Sequence, residues 1–140
     1  MNLRLAIATS EHVHAPVARG WRDQEGGTIA FCRFTHLGFL RLMTTAAVMN
    51  GKPPTMTAAW RVHERLYDDD RVSFVADPPE ADRRFREKAT GQTASPKVWA
   101  DAWLLAVAHA AECVLVTFDQ SLASRGAHCL LPKEEKPSRR

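Results

Sequence analysis

Apolar and polar positions along this chain of 140 residues switch between helical spacing and short unbroken apolar runs, and the switches predict helices and strands in alternation. Residues 3–8 form an apolar segment. Residues 14–24 have helical spacing, with Pro16 tolerated in the first turn and Gly26-Gly27 stopping the run. Residues 28–33 are rich in β-formers, after which Thr35 is placed to cap a helix running through Leu37, Leu40, Arg41 and Met43 toward Ala47. A loop at 50–54 comes next, and Thr57 opens a second helix over 58–67, ended by Asp68-Asp69-Asp70. Residues 72–75 predict a strand, and Asp77-Pro78-Pro79 leads into a helix over 80–89. After a connector at 91–93, Ser95 as N-cap and Pro96 at the first helical position start a long helix. Residues 114–119 then predict a strand, 120–124 a short helix and 127–131 a final strand. The alternation implies one α/β domain over 1–131, a largely parallel sheet with helices on both faces, and after it a polar tail at 132–140 expected to be disordered.

The long helix holds a chemical anomaly. Residues 98–108 are apolar on every face except for Asp101. A helix without a polar stripe is expected to be buried, and an ionised carboxylate inside one is costly unless a cation, a donor or a pKa shift compensates it. The apolar run 114–118 ends in a second carboxylate, Asp119. A terminal acid on a strand is how an open α/β sheet builds a site. Each residue also has a plainer reading: Asp101 as a structural acid paired with an Arg or Thr, and Asp119 as the N-cap of the helix after it. Two carboxylates in one cleft persist ionised mainly around a divalent cation such as Mg2+, and metal-bound carboxylates with open water positions serve phosphodiester hydrolysis.

Composition narrows the classes. With 45% hydrophobic and 25% charged residues the chain is of ordinary globular make-up. No apolar run approaches the ~20 residues of a membrane span, and the apolar stretch after Met1 is too short for a signal peptide, so a cytoplasmic protein is expected. Cys32, Cys113 and Cys129 lack CxxC spacing and are expected to be buried free thiols. Of the net charge of +3, the tail's four basic and two acidic residues supply +2. A folded body of about +1 is a weak signal for nucleic acid, so any such function must come from the site.

The segment Trp99-Ala100-Asp101-Ala102-Trp103-Leu104-Leu105-Ala106-Val107-Ala108, with Leu115-Val116-Thr117-Phe118-Asp119 after it, resembles the C-terminal half of PIN-domain ribonucleases of the VapC toxin type. Thr35-His36-Leu37-Gly38-Phe39-Leu40-Arg41-Leu42 resembles the T-Q-x-G-F-x-R-L segment of one branch of that family, and His14, Ala18 and Trp21 resemble its first-helix signature. The resemblance runs over nearly the whole chain up to Pro132. It implies a three-layer fold with a parallel sheet of about five strands, and endonucleolytic cleavage of RNA dependent on Mg2+, or Mn2+ in its place. Asp101 and Asp119 would be the catalytic and metal-binding acids, with the hydroxyls of Thr117 and Thr35 orienting a carboxylate or water behind them. It also implies a VapB-type antitoxin as partner and a homodimer, with the helices at 39–47 and 58–67 forming the dimer face or antitoxin groove.

Two family acids have no counterpart. The first metal-ligand aspartate of PIN domains ends the first strand in a stretch like apolar-apolar-Asp-x-Asn, and residues 2–8 line up with the segment just after that aspartate. The strand and its aspartate would lie upstream of Met1. The second acid would fall at Gly38. The rival expectation is therefore a catalytically impaired PIN-fold protein that binds RNA or antitoxin. Other groups are less telling. His12, His14, His36, His63, His109 and His128 are too scattered for a favoured zinc site, with His63 and His109 expected at the surface or core edge. Arg83, Arg84, Arg86 and Lys88 interleave with acids as a solvated helix face, the alternative being a phosphate track. Trp60, Trp99 and Trp103 have the spacing of core or dimer-interface residues rather than of base-stacking platforms.

Overall fold

The β-rich runs at 28–33 and 72–75 become β1 (Ile29–Cys32) and β2 (Val72–Val75), parallel partners in the register Ile29 with Val72 through Cys32 with Val75. The computed structural model describes residues 15–129, apart from the side chains of Gln120 and Cys129. The segment 3–8, His12, His14 and the tail at 132–140 lie outside the described residues. In chain order the elements are α1 (Ala15–Gln24), β1, α2 (Arg33–Met43), α3 (Met56–Leu66), β2, α4 (Ala81–Lys88), α5 (Pro96–Ala110), β3 (Val116–Thr117), α6 (Gln120–Ala123) and β4 (His128–Cys129).

Helix α2 starts earlier than its sequence signals suggest, because Arg33 enters the helix directly from the strand. Its N-cap is Cys32, and Thr35 sits two residues inside the helix, its hydroxyl accepting from the Cys32 N–H (3.0 Å) and donating to the Cys32 carbonyl (2.9 Å). The helix also stops at Met43 rather than near Ala47. The hydroxyls of Thr44 and Thr45 donate to the Leu40 and Arg41 carbonyls at 2.8 and 2.6 Å, satisfying last-turn acceptors that further helix would have used. Helix α3 is capped by Thr55, not Thr57, through a 3.1 Å bond from the Ala58 N–H.

The α2–α3 seam holds the largest buried side chains, Phe39 and Met43, packed with Ala59 and flanked by Leu40, Val62 and Leu66. His63 is buried here rather than at the surface. Its ring stacks on that of His36 with centroids 4.0 Å apart and planes 2° from parallel, and Trp60 and Tyr67 set their edges against it. The Arg33 guanidinium, which can only donate, lies 2.8 Å from His36 Nδ1 and so fixes that nitrogen as an acceptor. Arg71 ties α1 to β2: its guanidinium donates to the carbonyls of Arg22 and Glu25 at the C-terminal end of α1, and to the Asp69 carboxylate at 2.7 Å. That contact lowers the Asp69 carboxyl to about 2.

Helix α4 packs along α5, with the Phe85 ring edge-on to Trp103 at 5.5 Å. Its outer face is the solvated ladder expected, Arg83 pairing with Glu87 and Arg86 with Asp82 at i,i+4 spacing. Such exposed pairs add ~0–1 kcal/mol each. Helix α5 starts at Pro96 behind Ser95, although the serine hydroxyl makes no cap bond. It is not enclosed on every side. Ala102, Leu105, Ala106 and Val107 are buried, whereas Trp99 is 59% exposed, because a single neighbouring helix cannot cover the whole circumference of so apolar a helix. The turn after α5 leaves Cys113 exposed, unlike the buried Cys32.

Strand β3 is shorter than the run 114–119, and pairs in parallel with β4. The α/β class and the parallel pairing are those expected. The strands nevertheless form two two-stranded sheets among the described residues, β1 with β2 and β3 with β4, rather than one continuous sheet. A cavity of about 420 Å³ separates them, bordered by β1, α5 and residues 113–117.

Candidate functional site

Lys97 and Asp101 are four residues apart in α5, so they project from the same face on successive turns. The Lys97 ammonium lies 3.6 Å from Asp119 Oδ2. This contact turns that face of α5 toward the start of α6, where Asp119 sits. Asp119 is the N-cap of α6, as its plainer reading required. Its Oδ1 accepts from the Ser121 N–H at 2.9 Å and from the Ser121 hydroxyl at 2.7 Å. Those bonds, the hydroxyl's first, together with the Lys97 charge hold the Asp119 carboxyl below the ordinary carboxylate range. The cap therefore engages one carboxylate oxygen and leaves the other on the side of α5.

Asp101 is half-buried rather than enclosed. Among the described residues no hydrogen bond or ion pair involves its carboxylate, so the Arg or Thr partner of the structural reading is not found there. Thr117 and Thr35 do different work. The Thr117 hydroxyl accepts from the Asp119 N–H at 3.0 Å and fixes the backbone that presents the acid. The Thr35 hydroxyl is spent on the first turn of α2, and both threonines border the cavity between the half-sheets. Gly38, standing where the second family acid would fall, is buried in α2.

Sequence reasoning missed Lys97 and Ser121. The signals were present, as the i,i+4 spacing of Lys97 and Asp101 on one helix and the Asp119-x-Ser121 turn at a helix start, but both are common on ordinary surfaces. On donor chemistry, two carboxylates suit Mg2+, which is often held by one or two of them with waters completing its octahedron. No group of three His, Cys, Asp or Glu side chains able to hold a metal is found among the described residues.

The sequence matches the PIN domain family over residues 3–127. It is 39% identical over 131 residues to Ribonuclease VapC41 of Mycobacterium tuberculosis, in strain CDC 1551 / Oshkosh and equally in strain ATCC 25618 / H37Rv. The match covers 89% of this chain and 90% of the relative.

Proposed function

The chain belongs to the PIN-domain family of VapC-type ribonucleases, and from that premise we propose that it is the toxin of a toxin–antitoxin pair, an Mg2+-dependent endoribonuclease silenced by a VapB-type antitoxin. The observation that carries the proposal is Asp101, a half-buried carboxylate with no partner among the described residues, one helical turn from the Lys97–Asp119 pair. Asp101 and Asp119 would hold Mg2+, or Mn2+ in its place, and when bound the ion polarises a phosphoryl oxygen and lowers the pKa of its water. The surrounding residues prepare the acids. Ser121 keeps Asp119 ionised, and Thr117 fixes its backbone. Lys97, on a flexible and largely exposed stem, neutralises Asp119 and is free to swing to a phosphate. The second reading, a PIN-fold protein that binds RNA or antitoxin without cleaving, is favoured by the lack of a third acid among the described residues.

Cleavage of a mixed RNA substrate in Mg2+ and in EDTA, by the wild type and by Asp119→Asn, separates the two. Asn caps a helix as well as Asp does, so the variant should keep its stability to within about 1 kcal/mol, counting the exposed Lys97 pair. Its metal-dependent cleavage should fall at least ~100-fold, the order of loss expected for a group that stabilises transition-state charge. RNA binding without cleavage in the wild type supports the binding module, and undiminished cleavage by Asp119→Asn removes that residue from the mechanism.

We also propose a homodimer through the α2–α3 face, where Leu37, Met56 and Trp60 are 55%, 70% and 46% exposed. Three exposed large apolar side chains on two adjacent helices are what an association face would cover. Light scattering at tens of micromolar should return twice the chain mass. A monomer mass, unchanged by conditions that favour association, counts against this face.

A further inference from the structure

The basic residues around α4 fall into two sets. Arg83 and Arg84 both pair with Glu80, Arg83 also with Glu87, and Arg86 with Asp82. Those guanidiniums already face acids along the helix, which leaves little charge there for a phosphate chain. Lys88, the last residue of α4, makes no ion pair among the described residues. Neither does the exposed Arg125, whose guanidinium donates to the Lys88 carbonyl at 3.4 Å and so sets the turn after α6 against the end of α4. Residues 88–100 and 120–129, the two stretches that meet at this bond, contain no Asp or Glu. The same end of the molecule carries Lys97, 3.6 Å from the Asp119 carboxylate. Asp119 opens the α6 turn and Arg125 lies just past its close, a rise on the order of 9 Å at helical spacing.

We propose that Lys88 and Arg125 form a phosphate-binding edge that extends the Lys97–Asp119 site along a single-stranded RNA, holding backbone phosphates outside the bond to be cleaved. Spaced cations that no acid neutralises are what tracks a flexible strand, whereas the paired face of α4 does not. Between the two lysines the connector adds neutral donors: Gln92 and Thr93 are exposed, and the Ser95 hydroxyl makes no cap bond. Arg125 reaches no reacting atom in this arrangement, so both it and Lys88 act as positioning residues. The proposal rests on the RNA reading of the site and deepens it, naming the residues that grip the strand beyond the two acids. Its test reads binding without cleavage, so the nuclease reading can fail separately.

The affinity of the full chain for a fluorescent single-stranded RNA is measured in EDTA across a salt series, for the wild type, the Lys88→Gln and Arg125→Gln double variant, and Arg86→Gln. Each phosphate contact on a single strand contributes ~0.7 to the slope of log affinity against log salt. The double variant should therefore flatten the slope by ~1.4 and, extrapolating from 1 M to 0.1 M salt, bind about 25-fold more weakly. Arg86→Gln should leave both unchanged, because its guanidinium is already paired with Asp82. Lys88→Gln alone breaks no side-chain bond among the described residues and should still lower the slope by ~0.7, which keeps the test valid if the double variant unfolds. Arg125→Lys, which keeps the charge, should bind within about twofold of the wild type. Wild-type slope and affinity in the double variant and in Lys88→Gln would overturn the proposal, and so would an equal loss in Arg86→Gln, which would make the effect one of net charge. Absence of RNA binding by the wild type would overturn it together with the RNA reading. The expected binding pattern in a protein that does not cleave in Mg2+ would uphold it and remove only the nuclease.

Discussion

Asp101→Asn is expected to lower metal-dependent RNA cleavage at least ~10³-fold in any version of the chain that cleaves, about 4 kcal/mol of transition-state stabilisation, with the protein still folded. The substitution keeps the shape of the side chain and removes its charge. Because Asp101 makes no hydrogen bond or ion pair among the described residues, no structural partner is orphaned by the change. A half-buried carboxylate that makes no compensating contact is one whose replacement by the matching amide should leave stability nearly level. The measurement is cleavage rate against Mg2+ concentration, with thermal unfolding of the same samples. A folded variant cleaving at the wild-type rate would mean that Asp101 is not a catalytic acid. An unfolded one would mean that its partner lies outside residues 15–129.

The second large effect is on stability. Phe39 is fully buried at the α2–α3 seam against Met43 and Ala59, so Phe39→Ala should cost ~3–5 kcal/mol. Against a typical total of ~5–15 kcal/mol, that loss is enough to unfold a marginal domain. Leu37, two residues earlier on the same helix but 55% exposed, is the internal control, and Leu37→Ala should shift the unfolding free energy by no more than about 0.5 kcal/mol in the monomer. Urea titration monitored by circular dichroism checks both. Similar costs for the two would show that α2 does not face the core as described.

Several elements were legible before any fold was known, and the misses have physical causes. The strand at 72–75 and the helix start at Ser95-Pro96 agree with β2 and α5, because β-branched runs and proline at the first helical position act locally. Thr35 is not the cap its position suggests, because threonine serves equally well inside the first turn, bonding back to Cys32, and only the neighbouring strand decides which. The apolar composition of α5 suggested enclosure on all sides. Enclosure depends on how many partners surround a helix, and α5 packs chiefly against α4. His63, on a helical segment, was expected at the surface or core edge, and burying a lone imidazole is costly. A second ring, His36, stacked on it from another helix offsets that cost.

By itself the sequence determined the α/β class, the family and the order of elements among the described residues, since periodicity, caps and a short motif are properties of contiguous residues. What only the tertiary structure decided depends on groups meeting across the chain. Lys97 pairs with Asp119 from another element, and Asp119 both caps α6 and turns an oxygen toward α5. Among the described residues the strands pair as β1 with β2 and β3 with β4, since backbone pairing requires a neighbour in space.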